Sequence, residues 1–148
     1  MGYLEDHPTH FNFTKRVQGR VNAVQRRFPW KTFCNSYWDH PPDTQVPRRW
    51  PPGFYDRVSF DVWGGGGSSE ATYSGYRGKP LPKELGDKIF NQLFYANSGP
   101  AIDWIIWDGH MWWAPATGGP GWTSAPSGPA DSDPGHYGHI HVTYQKGT

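Results

Sequence analysis

Glycine and proline punctuate this chain so densely that no long helix or strand can run through most of it. The proline-dense run from His40 to Gly53 cannot be regular structure, and neither can the Gly/Pro/Ser run from Thr117 to Pro134. Gly64 to Gly67 is a third break, and it is no phosphate loop because no Gly-Lys-Ser/Thr follows it. What remains between the breaks is short and aromatic. Nine Trp, eight Tyr and eight Phe sit among nineteen Gly and fifteen Pro. That mixture favours short strands, long shaped loops and an aromatic-lined cleft over a helical bundle.

Two stretches keep a helical period. Phe13, Val17, Val21, Val24 and Phe28 predict a helix from Thr14 to Arg27, with Thr14 as N-cap and Pro29 as its stop. Leu85, Ile89, Phe90 and Leu93 predict a second, from Pro82 to Tyr95. Strands are expected at Lys31 to Trp38, Arg57 to Trp63, Asp103 to Trp107, His110 to Trp113 and His139 to Gln145. Asp108-Gly109 is a tight-turn dipeptide and joins two of them as a hairpin. Thus 148 residues, read as one domain, give an α+β fold. Its small central antiparallel sheet has about four or five strands, two main helices and long Gly/Pro loops.

Charge says little. Fourteen basic against thirteen acidic residues leave a net charge of +1 and no basic stripe, which argues against a nucleic-acid partner. No stretch approaches the roughly 20 apolar residues of a membrane span. The single cysteine, Cys34, excludes an intramolecular disulfide and reads as a buried small hydrophobe. Met1 to Asp6 shows no signal-peptide pattern, so action outside a cell would need another route of delivery or a longer parent chain.

Chemistry concentrates near the last strand, in His136-Tyr137-Gly138-His139-Ile140-His141. Residues two apart in a strand share a face, so His139 and His141 project together, with His136 entering from the loop before them. Neutral imidazole is a good zinc ligand. The competing reading is a set of surface histidines. Asp61 lies in a strand of large apolar groups, where an acid is costly unless it is paired or metal-bound. Arg57 shares its expected face and is the alternative partner. A catalytic zinc takes three protein ligands and keeps one position open. Two His and one carboxylate would make the set, and the remaining His must be His7, His10, His40 or His110. His40 is favoured, because two prolines stiffen the chain after it and the Asp61 strand follows.

The ordered blocks resemble a known family. Cys34-Asn35-Ser36-Tyr37-Trp38-Asp39-His40-Pro41-Pro42, then Ser59-Phe60-Asp61-Val62-Trp63, then Trp104 to Gly109 and the His-rich strand, resemble the lysostaphin, D-Ala-D-Ala peptidase and hedgehog group of zinc enzymes. The nearer likeness is to its D-Ala-D-Ala carboxypeptidase and murein endopeptidase branch, in actinobacterial and phage domains, over roughly Thr32 to Tyr144. The resemblance implies zinc held by His40, Asp61 and His141. It implies His139 beside the metal's water, as base or stabiliser, and His136 supporting substrate or the developing oxyanion. One departure is plain: the family's first His stands about seven residues before the Asp, where this chain has Phe54, and a loop insertion from Pro41 to Asp56 would reconcile the two.

The function expected is zinc-dependent hydrolysis of peptide bonds in bacterial peptidoglycan by a lysin-like monomer acting at the cell wall. Arg57, Trp112 and Trp122 are the candidate substrate contacts, through a carboxylate on the peptide and through aromatic walls. Arg48 and Arg49 could meet the same carboxylate or be plain solubilising charges. Asp131 and Asp133 are candidates to orient a ligating His. Two other readings compete: a cell-wall or glycan-binding module with aromatic platforms, and a phage structural domain that keeps a degenerate peptidase fold.

Overall fold

The computed structural model describes residues 13–29, 31–35, 58–65, 79–96, 98–124 and 137–145. Helix α1 spans Lys15–Arg27 and begins where expected, because the Thr14 hydroxyl accepts the Val17 N–H at 3.3 Å. Its buried stripe is Val17, Val21 and Val24, and Arg26 and Arg27 complement the dipole of its last turn. Helix α2 spans Lys83–Phe94 and buries Gly86, Ile89 and Leu93.

Among the described residues six strands form one sheet: β1 (Thr32–Asn35), β2 (Ser59–Gly64), β3 (Ile102–Trp107), β4 (His110–Trp113), β5 (Gly121–Ser124) and β6 (Ile140–Tyr144). Their spatial order is β1-β2-β6-β3-β4-β5, and every neighbouring pair is antiparallel. The α+β arrangement is the one the sequence predicts, with one more strand. β5 lies inside the run expected to be loop. It exists because β4 supplies its hydrogen-bonding partner, His110 to Trp113 facing Ser124 to Gly121. The β3–β4 turn has positive φ at both Asp108 (52°) and Gly109 (78°), as a two-residue hairpin loop of the favoured twist requires.

Alternation sorts the sheet into two faces. Cys34, Phe60, Val62, Ile105, Trp107, Ile140, Val142 and Tyr144 meet the helices in the main core. Ser59, Asp61, Trp63, His141, Thr143, Trp104, Ile106 and Met111 belong to the other face, and it too is buried. A bulge keeps Trp104 there. Ile102 pairs with Tyr144, but Trp104 pairs with Thr143, so Asp103 is the extra residue and every β3 side chain after it changes face. Asp103 is held by Thr117, whose hydroxyl donates to its carboxylate, and by the Ala114 N–H, which donates to its carbonyl at 2.8 Å. Among the described residues no helix is long and apolar enough to cross a membrane.

Candidate metal centre

The site lies where β2 and β6 run side by side in the middle of the sheet. The register places Asp61 directly opposite His141 and Ser59 opposite Thr143. Directly opposed side chains leave the sheet on the same face, so a carboxylate and an imidazole from segments 80 residues apart in sequence are driven together. The Asp61 carboxylate accepts from His141 Nδ1 at 2.8 Å. The other ring nitrogen, Nε2, lies 2.8 Å from the Thr143 hydroxyl. Asp61, His141 and Thr143 are 3 %, 4 % and 0 % exposed, so this chain of polar groups is buried. A buried carboxylate without partners would be prohibitive, and the His141 imidazole is a partner that helps make Asp61 tolerable in an apolar strand.

His139 stands one step before β6 on the same face. Its Nε2 is 4.0 Å from the second oxygen of Asp61. The ring lies flat on the indole of Trp63, with centroids 4.1 Å apart and planes 12° apart. On the opposite flank the Trp104 indole lies nearly parallel to His141, centroids 6.3 Å apart. Two indoles therefore bracket the two imidazoles and fix their planes. The carboxylate is felt through the sheet as well. Burial first, and then the negative charge of Asp61, push the Cys34 thiol well above its ordinary range, which leaves it an inert protonated group as expected.

Of the predicted site residues, Asp61, His139 and His141 are brought together. His40, His136 and Arg57 lie outside the described residues, as do His7, His10, Asp131 and Asp133. His110, one of the four candidates for the remaining ligand, is not at the site. It caps the β3–β4 hairpin opposite Trp107, on the helix face, with Nδ1 2.9 Å from the Asp108 carbonyl. Trp112 and Trp122 are opposite each other in β4 and β5, and Trp112 faces Ile105 on the helix side. They do not wall the Asp61 site. There they join Phe94, whose ring is 5.1 Å from Trp112 and 5.2 Å from Trp122. Thr143 and Trp63 are neighbours of the candidate site that sequence reasoning did not single out. Thr143 continues the same alternation as His139 and His141, which was the signal available for it.

The donors fit zinc in kind: a carboxylate oxygen and an imidazole nitrogen converge, and the far nitrogen of that imidazole is oriented by a hydroxyl. Among the described residues no group of three or more His, Cys, Asp or Glu side chains could hold a metal ion. The third ligand expected, His40, is outside them. No family model matches the chain, and no curated protein or solved structure matches it.

Proposed function

We propose that this chain is a zinc-dependent peptidase acting on bacterial peptidoglycan peptides at the cell wall, with Asp61 and His141 as two metal ligands and His40 as the third. The observation that carries the reading is the buried Asp61–His141 pair in the centre of the sheet, with His139 beside it. The ordered resemblance of the His40, Asp61 and His-rich blocks to zinc peptidases points the same way.

Zinc bound there would supply Lewis acidity, which activates water at neutral pH and polarises a scissile carbonyl. The protein supplies the rest. Asp61 brings negative charge, and His141 brings a ring held at both nitrogens. His139, held flat by Trp63, would take a proton from water at an imidazole nitrogen and return it to the leaving amine. His136 and Arg57 keep their expected roles toward the oxyanion and the carboxylate of the substrate.

Metal content per chain, on protein purified without added metal or chelator, tests this directly. One zinc in the parent and a large loss in both Asp61→Ala and His40→Ala support the ligand set. One zinc that survives His40→Ala moves the first ligand to His7 or His10. No zinc, and none taken up on titration, sinks the enzyme reading.

One observation favours a second reading, a cell-wall glycan-binding module. Trp122 and Tyr95 are 55 % and 67 % exposed beside Phe94, on the face of the sheet away from Asp61. Binding to purified wall that persists under chelation, with no new amine termini, would decide for it.

A further inference from the structure

Lys88, Asn91, Gln92 and Tyr95 follow one another at the i, i+3, i+4, i+7 spacing that makes one continuous helix face, and on α2 this is the face opposite the buried Ile89 and Leu93. Arg27, the last residue of α1, meets it with Nη1 3.5 Å from Gln92 Oε1. The five side chains line an open groove of about 570 Å³, on the helix side of the sheet and away from Asp61. Two cations and no acid line it. Among the described residues Arg27 touches a carboxamide and the Phe28 ring rather than a carboxylate. Lys88 pairs there only with Glu84, at 3.9 Å and with both side chains mostly exposed, a contact that water screens. The dipole of α1's last turn accounts for Arg27 as a stabilising charge, but not for Lys88 across the groove. Tyr95, which is exposed, stands edge-on to Phe94 at 4.9 Å, and Phe94 also touches the exposed Trp122.

Aromatic rings, carboxamides and cations thus adjoin on one surface. A ring packs against the C–H face of a sugar, a carboxamide matches hydroxyl and acetamido groups, and Arg or Lys takes a carboxylate. The whole-chain charge of +1 gives no long-range pull toward a densely charged polymer such as nucleic acid, so the groove suits a ligand whose negative charge is sparse. We infer that this groove binds an acidic saccharide, a glycan in which some sugars carry a carboxylate, as a site separate from the Asp61 centre. The inference is independent of zinc. Its setting rests on the wall-binding reading above, to which it gives a place and a ligand chemistry.

The test is a proton–nitrogen NMR titration of the full chain with a tetrasaccharide of alternating glucuronic acid and N-acetylglucosamine. The neutral N-acetylglucosamine tetrasaccharide and a short single-stranded DNA are the comparison ligands. The acidic sugar should shift the amides of Arg27 and of Lys88 to Tyr95, and bind about tenfold more tightly than the neutral one. Arg27→Gln with Lys88→Gln should abolish that preference and leave the metal content at the parent's value. Tyr95→Ala should weaken both sugars about fivefold. No shift in the groove, equal affinity for the two sugars, or a preference that survives in the Arg27/Lys88 variant overturns the inference. Tighter binding of the DNA overturns it in favour of nucleic acid. Wall binding under chelation with neither sugar bound overturns it and leaves the wall-binding reading standing. The acidic sugar bound in the groove, with no binding to wall, keeps the inference and removes that reading. Should a variant fail to fold, the parent's own titration against the three ligands still decides.

Discussion

Gly86 carries no side chain because the indole of Trp107 occupies the space one would fill. A methyl there would lie 2.1 Å from Trp107 Cζ2. The ring cannot slide away cheaply, since its Nε1–H donates to Asp87 at 2.9 Å and its face belongs to the main core. Gly86→Ala should therefore destabilise the protein by about 1–3 kcal/mol from overpacking. That exceeds the roughly 1 kcal/mol alanine gains over glycine inside a helix. Urea unfolding measures the balance, and a net gain would mean the indole is free to move. Cys34 is the second test at this scale. Because burial and Asp61 hold the thiol protonated, a thiol reagent at neutral pH should label it only as fast as the chain unfolds. The sign for stability follows: as pH rises above the ordinary thiol value of 9.0, the unfolded chain ionises first and the folded state loses ground. The Asp61–His141 face was legible in the sequence because period two is unambiguous in a short strand. Thr143 was not, since a threonine in a strand is ordinary and its contact with His141 Nε2 comes from the fold.

Among the elements, the hairpin and both helices were legible because each carries its own signal: a capping Thr14, a stripe at helical spacing, an Asp-Gly turn. Gly109 should be hard to replace. Its φ of 78° disfavours any side chain, and a built Cβ would meet the Tyr137 hydroxyl at 2.6 Å. Gly109→Ala should cost about 1–2 kcal/mol from backbone conformation alone, visible as a lower thermal midpoint. β5 carried no such signal. Gly121-Trp122-Thr123-Ser124 is short and largely exposed, and its order comes from β4 rather than from its own pattern. The bulge at Asp103 was equally hidden. It decides that Trp104 flanks His141 instead of joining the helix-side core, yet strict alternation along the sequence gives no hint of the skipped position. The same dependence on register explains why Trp112 and Trp122 could be read as aromatic but not assigned to a face.

At the scale of the whole molecule, β6 is the last strand in sequence and a central one in space. It pairs with β2 on one side and β3 on the other, and it is what unites β1-β2 with β3-β4-β5. A chain ending at residue 136 should lose the cooperative unfolding transition itself, because two open edges would be left where the core and the site now lie. A sharp calorimetric transition surviving in that shortened chain would contradict the description of a single sheet. Asp61, by contrast, lies on a strand made long before its partner.

This placement has a consequence for how the protein comes into being. Synthesis proceeds from the amino end, so Asp61 emerges and waits, already on an apolar strand, until His141 has been made. The nascent chain thus lacks the Asp61–His141 pair until its last strand is made. The Asp61–His141 pair is completed in one step, with the strand that also joins the two halves of the sheet, so a chain cut short before it should lack both.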